Sequence, residues 1–231
     1  MNFDLAVFFA EYESLVSKVD SVYDRVVSNF PSEVKCAQGC SDCCHAVFDI
    51  SLIEALYINN KFSQLSDMRR NEILIAADKI DRRAQVLKRN ASRESGKIDS
   101  TQILDRISRE RLRCPLLNAD DTCALYEFRP ITCRLYGIPL EIGGKSHSCG
   151  FSGFEPGKQY PAVKIERIQD TLVALSNKVL DSLHSSYHDF RLMHVPVSTV
   201  LMTVYSEEYF GLHGKTLPVE DNAGESGRDY A

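Results

Sequence analysis

Eight cysteines in two groups constrain this chain more than any other feature of its sequence. Four lie within the nine residues of CAQGCSDCC, which runs from Cys36 to Cys44. The other four follow about seventy residues later and are spread over a longer segment: Cys114, Cys123, Cys133 and Cys149. Gly39 allows a tight bend inside the first group. A fold for this chain must therefore accommodate irregular, cysteine-lined loops.

The compartment decides how clustered thiols are interpreted, and the sequence predicts a cytoplasmic protein. The opening stretch MNFDLAVFFAEYESL has no basic residue ahead of its apolar run, unlike a secretory signal. No stretch approaches the eighteen uncharged apolar residues of a membrane-spanning helix. Disulfides are rare in a reducing cytoplasm, so clustered cysteines favour metal binding or catalysis. The net charge of -5 argues against nucleic-acid and anionic-membrane partners.

Apolar residues at three- and four-residue steps predict a mainly α fold. Pro31 ends the first helical pattern, and SLIE at Ser51–Glu54 matches a capping box that begins the next helix. The predicted helices cover residues 1–30, 51–62, 66–87, 103–107, 130–136, 165–183 and 197–204. We predict a helical domain with an irregular cysteine-rich loop insertion and a small hairpin within residues 114–126. One domain is expected over residues 1–212, with the cysteine cluster in residues 36–149 and a disordered tail over 213–231.

The cysteine spacing predicts metal or cluster ligation. Cys40 and Cys43 form a CxxC step, which lets two thiolates reach one metal from a turn, and Cys36 is close enough to join them. Tetrahedral thiolate sites suit zinc and iron–sulfur clusters alike, and the spacing is not a standard ferredoxin run. Either one centre with spare thiols or two four-ligand centres fit the count. All eight are candidate ligands: Cys36, Cys40, Cys43, Cys44, Cys114, Cys123, Cys133 and Cys149.

The adjacent pair Cys43–Cys44 adds a geometric expectation. Neighbouring residues of an extended backbone point their side chains to opposite sides. A disulfide between neighbours also requires strained geometry. We therefore expect the two thiols not to face the same way, with one bound to a metal and the other at a second site or in the interior.

The sequence gives weaker signals for chemistry other than metal binding by thiolates. Redox exchange through Cys40 and Cys43 would normally accompany a βαβ pattern, which is not evident. His45 and His147 are alternative metal ligands, although eight thiols leave them a supporting role. Four thiolates around one centre leave net negative charge, which Arg113, Arg129 and Arg134 are close enough in sequence to offset.

The cysteine pattern resembles the YkgJ-like cysteine-cluster family, described by a CxxCxxCC motif as zinc- or iron-chelating proteins. That family combines a four-cysteine run with Cys-Pro-x-Leu, Cys-x-x-Tyr-x-x-Arg-Pro-x-x-Cys-Arg and a final cysteine. This chain matches at Cys114, Leu117, Cys123, Tyr126, Arg129, Pro130, Cys133, Arg134 and Cys149. The three residues between Cys36 and Cys40 depart from the two in the motif.

The resemblance implies a metal centre, either zinc or an iron–sulfur cluster such as [4Fe–4S], with metal ions as partners. Some relatives are described as iron–sulfur oxidoreductases. The related flagellin lysine N-methylases pair such a cluster with methyl transfer to protein lysines, which implies S-adenosylmethionine and a protein substrate. A non-enzymatic module with structural zinc is the remaining alternative. Fold-level analogy does not choose among these activities.

Overall fold

The computed structural model describes residues 3–37, 39–94, 102, 106, 107 and 109–212, and it confirms the mainly α prediction. The predicted short helix over 103–107 lies for the most part outside these residues, and the predicted tail over 213–231 lies wholly outside them. Six helices are placed over continuous ranges: α1 (Ala6–Asn29), α2 (Leu52–Ser63), α3 (Asp67–Glu94), α4 (Ile131–Leu135), α5 (Ile165–Leu183) and α6 (Val197–Met202). Periodicity therefore located α2 and α5 to within one residue. In contrast, α1 begins five residues later than expected, α3 continues seven residues beyond its predicted end, and α6 ends two residues earlier.

The strands are short and lie between the helices: β1 (Asp49–Ser51), β2 (Leu140–Ile142), β3 (Lys145–His147), β4 (Val163–Lys164) and β5 (His194–Pro196). β1 pairs antiparallel with β5, and β2 lies between antiparallel β3 and parallel β4. The sequence analysis did not predict the β2–β3 hairpin. Its signal is the pair Gly143–Gly144, whose φ angles of 56° and 74° suit a two-residue turn.

The hydrophobic core surrounds α2, which contacts α1, α5 and α6. Eight of its twelve residues are buried, a pattern typical of a helix covered on most sides. From α1, Tyr12, Val19 and Val26 pack inward at seven-residue intervals, so one stripe of that helix faces the core. These helices provide the rigid side of the molecule against which the cysteine-rich insertion packs.

The insertion is attached to this core through α4, which contacts α1. Ile131 and Leu135 of α4 are fully buried, so the short helix is held by its apolar face. Before it lies the small hairpin predicted within residues 114–126. There Leu117 and Cys123 form an antiparallel bridge, and the Ala124 N–H donates to the Leu116 carbonyl at 2.8 Å. The prediction of a small hairpin is thus confirmed.

No helix in the described ranges combines the length and the apolar character needed to cross a membrane. The extent of the domain, predicted as residues 1–212, stays a prediction.

Candidate metal centre

Cys43 and Cys44 lie on a single turn of 3-10 helix, Asp42–His45. Their sulfur atoms are 4.0 Å apart, so the expectation that they do not face the same way is wrong. That expectation assumed an extended backbone, whereas a 3-10 turn rotates consecutive side chains by about 120°. Four sulfurs at about 2.3 Å from one zinc ion would lie about 3.8 Å from each other. The two neighbours are therefore spaced closely enough to share one metal.

Backbone pairing joins the second cysteine group to the first. The Leu112 N–H donates to the His45 carbonyl at 3.0 Å, and the Cys114 N–H donates to the Cys44 carbonyl at 2.6 Å. Beyond Cys114 the small hairpin returns the chain and presents Cys123 opposite Leu117. These contacts bring residues about seventy positions apart in sequence to one site.

Cys133 reaches the same site from α4. Its thiol lines the same cleft as that of Cys43, the residue that also lies against Cys44. The N-terminus of α4 is held by a buried carboxylate, because Glu54 Oε1 accepts a hydrogen bond from the Ile131 N–H at 3.0 Å. Glu54 Oε2 accepts from the backbone N–H and the hydroxyl of Ser51 at 3.0 and 2.8 Å. The predicted capping box is therefore confirmed, and its carboxylate also positions the helix that carries Cys133.

Three thiols form an outer group: Cys36, Cys40 and Cys149. Cys36 and Cys40 are exposed, and the Cys36 thiol donates to the Tyr136 carbonyl at 3.4 Å. The Cys149 thiol donates to Asp42 Oδ2 at 3.2 Å. Asp42 also forms an ion pair with Arg111, so it connects Cys149 to the turn that carries Cys43. Sequence reasoning missed this role of Asp42, although it lies within CSDCC.

The pKa values of the thiols differ strongly across the site. Hydrogen bonds from Cys133 and Cys44 lower the pKa of Cys43 to about 3. The same interactions raise the pKa values of the Cys44 and Cys133 thiols. Burial raises the pKa of Cys114 to about 12 and that of Cys149 to about 11. The thiols whose pKa values are raised stay protonated more readily when no metal is bound. Metal binding would therefore release protons from the other ligands.

A cleft of about 470 Å³ opens beside this site. Four cysteines line it: Cys36, Cys40, Cys43 and Cys133. Its other walls are charged and aromatic side chains, among them Tyr23, Tyr126, Tyr136, Asp20, Asp24, Arg129 and Arg134. Thiols from both sequence groups thus face one shared space.

The donor set suits a metal that prefers thiolate ligands. All eight cysteines are free thiols. Of the alternative ligands, His45 hydrogen-bonds the Ser41 carbonyl through Nδ1 at 3.0 Å, and His147 lies exposed on β3. Within the described ranges no three Cys, His, Asp or Glu side chains converge closely enough to hold a single ion. The chemistry of these side chains therefore fits thiolate ligation.

Gly137 leaves the space that the Cys36 thiol occupies. Its φ is 98°, and a Cβ atom at this position would lie 2.3 Å from Cys36 Sγ. We expect Gly137→Ala to displace Cys36, to lower the free energy of unfolding by about 1–3 kcal/mol and to weaken metal retention. Urea unfolding and metal analysis measure both effects.

Gly157→Ala is the matched control for this substitution. Gly157 has a φ of 84°, but a Cβ atom there would meet nothing within 4 Å. It shares the backbone strain without the collision, so it should lose less stability and keep its metal. Equal losses in the two variants would contradict a role for Gly137 in placing Cys36.

Comparison with known proteins gives one family. The family model CxxCxxCC, described as "Putative zinc- or iron-chelating domain", matches residues 35–150. The matched range contains all eight cysteines. Searches of the curated proteins and of the solved structures found no match.

Proposed function

The chain belongs to the CxxCxxCC family of zinc- or iron-chelating domains, and from this premise we propose that its cysteines hold an iron–sulfur cluster. The supporting observation is the cleft of about 470 Å³, which four thiols line without converging on one point. A cluster of several iron atoms spreads its thiolate ligands over a wider space than a single ion does. Cys36, Cys40, Cys43 and Cys133 would hold it, and the remaining four candidate ligands border them: Cys44, Cys114, Cys123 and Cys149.

An oxidoreductase role follows from this proposal. When bound, an iron–sulfur cluster supplies electron transfer at a potential set by charge, hydrogen bonding and solvent exposure. Cys36 and Cys40 are exposed, so a redox partner could approach this side of the cleft. Cys114 and Cys133 are half-buried, so on their side less of the centre would be open to water.

Structural zinc is the second candidate, and the Cys43–Cys44 pair favours it. Their sulfur separation of 4.0 Å is close to the edge of a tetrahedral zinc–thiolate site, about 3.8 Å. Zinc bound there would fasten the two cysteine groups to each other and so stabilise the insertion. Lysine N-methylation, with S-adenosylmethionine and a protein substrate, remains a prediction from the resemblance that calorimetric titration with this cofactor tests.

Anaerobic purification followed by metal and sulfide analysis tests the proposal. We expect a coloured protein with iron and acid-labile sulfide in equal amounts, and bleaching on chemical reduction. Zinc without iron would support the second candidate instead. A colourless protein without bound metal, purified under the same conditions, would contradict both.

A further inference from the structure

Three arginines lie near the thiols in sequence. In the structure, other residues hold the side chains of two of them, Arg134 and Arg113. Arg134 is held by structural contacts: Nη1 donates to both carboxylate oxygens of Asp20, at 3.1 and 2.8 Å. Its Nε donates to the Arg129 carbonyl at 2.9 Å, and its Nη2 donates to the Glu127 carbonyl. The side chain is only 9% exposed. Arg134 therefore fastens the cysteine-rich insertion to α1, and its charge is balanced by Asp20.

Arg113 is not among the residues that line the cleft. Its Nη2 donates to the carbonyls of Leu117 and Asn118 at 3.3 and 2.7 Å, so it supports the small hairpin. It borders a separate, mainly apolar cavity of about 400 Å³ beside Cys114. Its guanidinium is thus committed to backbone oxygens on the far side of the site.

Arg129 lines the cleft, as Arg134 does, but its side chain makes different contacts. Its guanidinium carbon lies 3.7 Å from the centroid of the Tyr126 ring, and its Nε donates to the Tyr126 carbonyl at 2.9 Å. The two contacts hold the planar guanidinium in one orientation. Within the described part of the chain, no hydrogen bond or ion pair engages its two terminal nitrogens.

Among the described residues that line the cleft, Arg129 is the cation without an ion-pair partner. Asp24 and Glu127 line the same space and add negative charge, whereas Asp20 and Arg134 neutralise each other. A centre with four thiolates would carry about two net negative charges, and removing the nearest cation would make it less stable.

We propose that Arg129 is the counter-charge of the cysteine centre. The proposal rests on the proposed function and adds a residue that binds no metal itself. Its guanidinium, fixed on Tyr126 and free at its terminal nitrogens, offsets the charge that the thiolates acquire when they bind a metal.

Cadmium titration of the metal-free, reduced full chain tests this proposal, because Cd²⁺ is a soft ion that thiolates bind. Arg129→Gln should bind Cd²⁺ about tenfold more weakly than wild type in competition with a chelator. Arg129→Lys keeps the charge and should stay within about threefold of wild type. The difference between Arg129→Gln and wild type should shrink as salt is added, since the cleft is open to solvent.

Arg82→Gln is the matched control. Arg82 is an exposed arginine of α3, paired with Asp78 and absent from the cleft lining, so its loss should leave Cd²⁺ affinity within about twofold. Wild-type affinity in Arg129→Gln would overturn the proposal, as would an equal loss in Arg129→Lys or in Arg82→Gln.

The same titration separates this proposal from the function on which it rests. Tight Cd²⁺ binding by thiolates in a protein purified without iron would remove the iron–sulfur proposal and leave the counter-charge standing. A wild-type protein that binds no Cd²⁺ would overturn both.

Discussion

Cys133→Ser should weaken metal binding about a hundredfold or more, leaving a protein that is purified almost free of metal. Cys133 is a half-buried thiol of α4, and it lines the cleft together with Cys43. A serine hydroxyl does not replace a thiolate as a ligand for zinc or iron–sulfur. Metal analysis after anaerobic purification measures the loss, and circular dichroism shows whether the fold persists.

Two further variants make this result specific. Thr132→Ser changes the preceding residue of α4 without removing a thiol, and it should retain wild-type metal content. Cys36→Ser removes an exposed thiol, so metal loss there is not accompanied by a change in the core. Full metal content in Cys133→Ser would exclude Cys133 as a ligand. Unfolding of Cys133→Ser together with metal loss in a folded Cys36→Ser would indicate a centre that also stabilises the fold.

Glu54→Ala should lower the free energy of unfolding by about 3 kcal/mol. The Glu54 carboxylate is fully buried and accepts hydrogen bonds from the backbone of Ile131 and Ser51. Its removal leaves two buried N–H groups without an acceptor, at the first turns of α4 and α2. Because α4 carries Cys133, metal retention should fall with stability. Urea unfolding measures the first effect and chelator competition the second.

The controls for Glu54 separate burial from charge. Glu72→Ala removes a half-exposed carboxylate paired with Arg69 on α3, and it should cost less than about 1 kcal/mol. Glu54→Gln keeps the side-chain volume but only one acceptor oxygen. Its loss of unfolding free energy should therefore lie between those of Glu54→Ala and Glu72→Ala. A stability equal to wild type in Glu54→Ala would contradict the positioning role.

The pH dependence of stability gives a second test of Glu54. Burial raises its pKa above the ordinary 4.5, although hydrogen bonds from Ile131 and Ser51 oppose the shift. An acid with a raised pKa binds its proton more readily in the folded state. Its contribution to stability is therefore greatest below pH 4.5 and is lost as the pH rises through the folded-state pKa. The stability difference between wild type and Glu54→Gln should follow this trend, and a flat difference would contradict it.

Much of the helical architecture could be predicted from the sequence. α1, α2 and α5 follow apolar repeats of three and four residues, and the capping box at Ser51 locates the start of α2. These signals are local, because residues three or four apart lie on one face of the same helix. The β1–β5 pairing joins Asp49 to Pro196 and has no comparable local signal. The β2–β3 hairpin had one in Gly143–Gly144, which the sequence analysis did not use.

The candidate site shows the same contrast between what is encoded locally in the sequence and what depends on long-range packing. The sequence by itself determined the chemistry, since thiolate ligation is a property of cysteine and the spacing brings four of them within nine residues. Only the tertiary structure decided which thiols are neighbours. Cys44 meets Cys114 through backbone pairing, and Cys133 meets Cys43 because Glu54 holds α4.

The three arginines show why this division arises. The sequence places Arg113, Arg129 and Arg134 within four residues of a cysteine, but Asp20 and backbone carbonyls engage two of them. Asp20 lies more than a hundred residues from Arg134, so its effect depends on how α1 packs against α4. Side-chain chemistry and local periodicity are encoded residue by residue. Which charges and thiols meet depends on long-range packing, which no short stretch of the chain specifies.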